Sequence, residues 1–195
     1  MNGAQKSNRQ KQRILVGAAQ LIRQKGFRNT TIGDIGAKLK INSATIYYYF
    51  ENKEKLLYEI ACSSIDQLNE YAKGTCEKDV LPMEKLNMLI MKHLEISAIP
   101  RYLGGVAQFE LKNLSPRLRK KYISRRDVYE QFYRDILQEG IDAGQFCDQD
   151  SILVGRFILG VLTSVSLWFK SSGQLSLDQV AEEVCRFISR SVQRY

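Results

Sequence analysis

Apolar residues recur along this chain at intervals of three and four, and no segment alternates apolar and polar at every second position. That spacing predicts helices rather than strands. Ile14, Leu15, Ala18, Leu21 and Ile22 fall on one face of a helix over Asn8 to Lys25, which Gly26 ends. Thr31 and Asp34 have the form of a capping box, with aspartate in the reciprocal role, and open a second helix from Ile32 to about Leu39. After a short break, Asn42 or Ser43 caps a third helix through Tyr49, and Asn52 caps a fourth to about Gly74. Further helices are expected near Met83–Ile99, Arg101–Glu110, Pro116–Ala143, Asp150–Lys170 and Leu177–Val192. Ser115-Pro116 supplies a start signal, while Gly144 and Gly173 supply stops. The expected fold is all-α with about nine helices, a three-helix head over residues 1–52 and a larger helical body over residues 53–195.

The third helix ends in Tyr47-Tyr48-Tyr49-Phe50. Successive residues step by about 100° round a helix, so four rings in a row point almost all the way round it. A small helix packed on a core buries about half of that circle. Ile46 and Phe50, four apart, go to the core with Ile41, leaving Tyr47 and Tyr48 outward with Tyr49 between. Exposed rings of this size imply a partner to set against them. Two short helices braced by a longer one match the helix-turn-helix plan, in which the second helix enters the major groove of DNA. Ser43, Ala44 and Thr45 are short enough for close approach, and Ala44 or Thr45 reaches a thymine methyl. A tyrosine hydroxyl donates to a phosphate oxygen while its ring packs on the sugar. Lys53 stands at a helix start, where backbone N–H groups also favour phosphate.

The distribution of charge sharpens this reading. Residues 1–55 hold 11 Lys and Arg against 3 Asp and Glu, whereas residues 56–195 hold 18 of each. The whole excess positive charge lies at the front, which points to a polyanionic partner for the head. The four cysteines are far apart and the N-terminus is polar, so they read as reduced thiols of a cytoplasmic protein. The most apolar run, Phe157–Phe169, has 13 residues, short of the ~20 that cross a bilayer. No membrane span is expected, and the run reads as a buried or interface helix.

The stretch TTIGDIGAKLKINSATIYYYFENKEKLL, Thr30 to Leu57, closely resembles the DNA-binding head of the TetR-type repressors. The resemblance implies a homodimer on a palindromic double-stranded operator, with an effector pocket in the body. It also implies that Thr31 and Lys53 hold phosphates, that Ser43, Ala44 and Thr45 face bases, and that Tyr47 and Tyr48 hold the DNA backbone. The family usually has glycine in the interhelical turn, where this chain has Lys40. If that position is left-handed, lysine costs about 1 kcal/mol there, offset by a phosphate contact.

The body carries no evident catalytic set. His93 is the lone histidine, with no serine or cysteine at motif spacing and no metal-ligand partner, so neither an enzyme nor a metal or cofactor is expected. Tyr102, Phe109, Tyr129, Phe132, Tyr133, Phe157 and Trp168 either fill the core or line an apolar pocket with polar tips. Lys112 to Arg126 contains seven basic residues and no acid, several of them placed against the helix dipole. It is either a solvated face or a site for an anion. The body segments SRRDVYEQFYRDILQEGIDAGQF and ILGVLTSVSLWFKSSGQLSLDQVAEEV resemble repressors of fatty-acid and steroid breakdown that respond to acyl-coenzyme A. That resemblance implies phosphates held by arginines such as Arg125 and Arg126, with the acyl chain inside. A drug-sensing pocket controlling an efflux gene and a non-specific RNA-binding protein are the alternatives. The last two helices form the expected dimer face. Leu153, Val161, Val180, Val184 and Ile188 supply apolar area, and Gly160 and Ser164 permit close approach. Internal packing is the other role open to these seven.

Overall fold

The computed structural model describes residues 3–98, 106 and 109–194. Among them run eight α-helices: α1 (Gly3–Lys25), α2 (Ile32–Leu39), α3 (Ser43–Tyr49), α4 (Lys53–Cys76), α5 (Pro82–Ala98), α6 (Pro116–Asp142), α7 (Ser151–Trp168) and α8 (Leu177–Val192). A single 3-10 turn, Leu111–Asn113, precedes α6, and Phe146 and Gln193 form an isolated antiparallel bridge. The all-α expectation holds among the described residues. The helix expected over Arg101–Glu110 lies largely outside them, and Tyr102 with it.

The start and stop signals act as the side chains dictate. Thr31 and Asp34 exchange both bonds of the capping box at α2, and Ser176 and Gln179 do the same at α8. Asn42 accepts from the N–H of Ala44, Asn52 from that of Lys55, and Asp150 from those of Ile152 and Leu153. Each satisfies donors that the first helical turn leaves without a partner. α1 departs from expectation by starting at Gly3 rather than Asn8, since nothing in Gln5, Lys6 and Ser7 stops a helix.

By compactness the chain divides into two units, Met1–Ser64 with Pro100–Ile123, and Ile65–Ile99 with Ser124–Tyr195. The division falls inside α4 and α6 rather than at residue 52. In the first unit, Ile14, Ile22, Ile35, Ile46, Phe50 and Leu57 form one core, which also takes in Val106, Leu114 and Leu118 from far along the sequence. Two carboxylates fasten that later segment. Glu110 accepts from the N–H of Phe27 at 3.1 Å, and Glu54 accepts from the N–H of Ser115 at 2.6 Å, taking over a capping role at the start of α6. In the second unit α5 packs against α7 and α8, and its Leu86, Leu89, Ile90 and Leu94 are buried with Tyr129 and Tyr133 of α6.

Candidate nucleic-acid interface

The turn between α2 and α3 is built by two backbone requirements. Gly36 has no room for a side chain, because a Cβ there would stand 2.8 Å from the carbonyl oxygen of Ile41. Lys40 takes φ 54° and ψ 47°, the one positive φ among described residues other than glycine. Lysine there costs about 1 kcal/mol relative to glycine. Arg13 supports the turn by donating from Nη2 to the carbonyl of Leu39 at 2.7 Å, satisfying an acceptor left open at the end of α2.

α3 is seated by Ile46 and Phe50, both buried, with Ile41 packed beside them. Ala44, Tyr47 and Tyr48 stand at i, i+3 and i+4 and share one open face. Ala44 is exposed, and Tyr47 and Tyr48 are 54% and 80% exposed. Ser43 and Thr45 are half-buried on its flanks. Tyr49 turns inward, its hydroxyl accepting from Ser7 Oγ at 3.4 Å and its ring edge-on to Tyr48. The outward aromatic pair expected from helical stepping is therefore present.

Two residues expected to hold phosphate have other partners. The Thr31 hydroxyl donates its one proton to Asp34 at 2.8 Å and accepts from the N–H of Asp34 at 3.0 Å. Bonds from the Thr31 backbone and then its side chain hold the Asp34 carboxyl below its ordinary range. Lys53 Nζ donates to the carbonyls of Phe27 at 3.0 Å and Thr30 at 2.9 Å, and lies 4.3 Å from the centroid of the Phe27 ring. Two of its three protons brace the α1–α2 turn, and one is left for an external oxygen. Lys40 is exposed. Sequence spacing had no means of finding Arg13, Glu54 and Glu110 in their supporting roles, because each acts on backbone distant in the chain.

The residues expected round an effector are dispersed. Phe109 is exposed and lines a small cleft with Ile22, Arg23 and Val106. In the second unit, Tyr129 and Tyr133 are buried, Phe132 is half-buried, and Phe157 and Trp168 are exposed on α7. Arg125 pairs with Asp66, and Arg126 with Asp127 at 3.4 Å. The lone histidine is internal: His93 Nδ1 lies 3.3 Å from the Tyr129 hydroxyl, which lies 3.1 Å from that of Tyr133. Burial pulls the His93 imidazole down to about 4 and pushes both phenols up.

The expected dimer face needs correction at two positions. Val180 and Ile188 are buried within the chain, on a helix that packs against α5. Val184 is half-buried. Leu153, Phe157, Gly160 and Trp168 are exposed along α7, with Val161 and Ser164 half-buried beside them. By length and composition α7 could cross a membrane, at mean hydropathy 1.7 over 18 residues. Its inward face is nevertheless ordinary core, with Ile158, Leu162 and Val165 buried.

Known proteins are similar to this chain in both halves. The family model described as bacterial regulatory proteins of the tetR family matches residues 14–60, and that of the tetracyclin repressor-like C-terminal domain matches residues 79–192. The chain is 30% identical over 172 residues to the HTH-type transcriptional repressor KstR2 of Mycolicibacterium smegmatis, covering 87% of this chain and 84% of KstR2. It is 26% identical over 177 residues to the fatty acid metabolism regulator protein of Bacillus subtilis, covering 90% and 91%. The fold also matches the crystal structure of AibR in complex with isovaleryl coenzyme A and operator DNA, with a TM-score of 0.80 at 23% identity over 91% of this chain and 97% of AibR. With an outward aromatic helix on a basic head, and with both halves matched by one family, the chain belongs to the TetR family of DNA-binding transcriptional repressors.

Proposed function

We propose that the protein is a cytoplasmic homodimer that represses transcription from a palindromic operator and lets go when its body binds an apolar anion, an acyl-coenzyme A. The observation that carries this reading is the open face of α3, where Ala44, Tyr47 and Tyr48 stand clear of a core that holds the helix from behind. Ser43, Ala44 and Thr45 meet base edges, and Tyr47, Tyr48 and Lys40 hold the DNA backbone. Lys53 gives its remaining proton to a phosphate, and Thr31 joins by exchanging its bond to Asp34. Residues 1–52, with Lys53 at the junction, do the reading, while the rest of residues 53–195 carry the effector and the partner subunit.

A second copy suits α7, where Leu153, Phe157, Gly160, Val161, Ser164 and Trp168 recur at helical spacing along one stripe. Val184 of α8 is half-buried and joins the proposed interface from the neighbouring helix in sequence. Two heads held about 34–36 Å apart then enter successive major grooves. The acyl-coenzyme A reading is supported by the body's resemblance to thioester-responsive repressors and by a relative that regulates fatty acid metabolism. AibR adds that the fold accommodates such a ligand together with operator DNA. Tyr129, Phe132 and Tyr133 lie on α6 with Arg125 and Arg126, so an apolar chain and its phosphates have groups on one helix. The effector shifts the operator equilibrium by no more than its differential affinity for the two states, typically about 1–3 kcal/mol.

The test is a panel of acyl-coenzyme A thioesters, free fatty acids and cationic dyes in thermal unfolding and in duplex release. A rise in Tm with one thioester, together with release of bound duplex at the same concentration, is the expected result. A rise with the dyes alone transfers the pocket to the drug-sensing alternative.

A further inference from the structure

We propose that the N-terminal turns of α1 form a second phosphate-binding element, with Lys6 and Arg9 following the backbone of the same duplex that α3 enters. This rests on the operator reading above and extends it to residues outside the helix-turn-helix.

α1 begins at Gly3, well ahead of Ile14, the first fully buried residue on it. Those early turns are not loose. Ser7 Oγ donates to the Tyr49 hydroxyl at 3.4 Å, and Lys11 pairs with Glu59 at 2.6 Å while its ammonium lies 5.5 Å from the Phe50 ring centroid. Arg13 reaches the Leu39 carbonyl at the end of α2. The rotation of α1 about its own axis is therefore fixed by contacts to both helices of the DNA-binding motif.

That rotation decides where the remaining cations point. At about 100° per residue, positions 6, 9 and 13 fall within a stripe about 60° wide, distinct from the inward line of Ser7, Lys11 and Ile14. Arg13 carries that stripe against the α2–α3 turn, beside exposed Lys40. Lys6 and Arg9 continue it for about 10 Å towards the start of the helix, at about 1.5 Å per residue. Both are exposed, and neither has an ion-pair or hydrogen-bond partner among the described residues.

The surroundings make an anion the fitting partner. The sequence has no acid before Asp34, and the first turn of α1 holds none. Cations at a helix N-terminus oppose its dipole, and an oxyanion outside the helix relieves both charges at once. A duplex lying on Tyr47 and Tyr48 brings a row of phosphates to this side of the head. Long, exposed, unpaired side chains suit phosphate tracking, which needs charge and reach rather than a fixed pocket.

The experiment measures affinity against salt for a mixed-sequence duplex and for a duplex selected by the protein from a random pool. It compares the wild type, the double variant Lys6→Gln/Arg9→Gln, and the charge-keeping double variant Lys6→Arg/Arg9→Lys. Each lost phosphate contact flattens the slope of log affinity against log salt by about 0.9. The glutamine variant is expected to lose about two in slope on both duplexes, so that raising salt from about 50 to about 200 mM costs it about tenfold less affinity than the wild type. The charge-keeping variant is expected to hold the wild-type slope. An unchanged slope in the glutamine variant, or a loss confined to the selected duplex, overturns the phosphate assignment while leaving the operator reading in place. A wild-type protein that binds neither duplex overturns the operator reading itself.

Discussion

Lowering the pH should weaken this protein through one buried side chain in a window that can be worked out beforehand. His93 is enclosed with Tyr129 and Tyr133, and burial takes its imidazole from 6.5 to about 4. The unfolded chain takes up a proton as pH falls through 6.5, whereas the folded chain refuses it until about pH 4, so the folded state loses ground across that interval. At about 1.4 kcal/mol for each tenfold change in proton affinity, the loss amounts to about 3 kcal/mol. That is a large part of the 5–15 kcal/mol typical of a folded domain. Urea unfolding of the wild type and of His93→Gln at intervals from pH 7.5 to pH 4 isolates the effect. The depressed carboxyls of Asp34, Glu54 and Glu130 act in both proteins and cancel in the difference. The wild type should fall relative to the variant by about 3 kcal/mol between pH 6.5 and pH 4, with no change above pH 7. A difference that stays constant over the whole range would show that His93 is not held neutral by its surroundings.

Lys40→Gly removes the left-handed strain and should raise unfolding stability by about 1 kcal/mol, while lowering the salt slope of duplex binding by about one; a less stable variant would contradict the strain. Phe157→Glu places a charge in the middle of the open stripe of α7 and should weaken dimerisation by at least about 2 kcal/mol, roughly thirtyfold. Sedimentation should then show a larger monomer fraction, and an unaltered distribution would move the interface elsewhere.

Most of the helical layout was legible because it depends on local chemistry. The capping box at Thr31 and Asp34, the asparagine caps before α3 and α4, and the Ser115-Pro116 start are written in neighbouring residues, and the observed helices begin within a residue of them. The outward pair Tyr47 and Tyr48 followed from helical stepping alone. What local pattern does not carry is the direction in which an amphipathic helix finds its neighbour. Val180 and Ile188 have the same spacing whether they face a partner subunit or α5, and only packing separates the two. For the same reason a lone histidine gave no hint that it would stack on one buried phenol that is itself bonded to a second. Lys53 and Thr31 illustrate a further limit, since a residue type suited to phosphate is equally suited to a carbonyl or a carboxylate nearby, and nothing in the sequence says which is within reach.

Because Val106, Leu114 and Leu118 complete the core beneath the DNA-binding helices, those helices are not a detachable cassette. A swap that joins residues 1–52 to the body of another regulator leaves an apolar seat empty under Ile14, Ile46 and Phe50. A graft of this DNA-binding unit must carry two separated stretches of chain together.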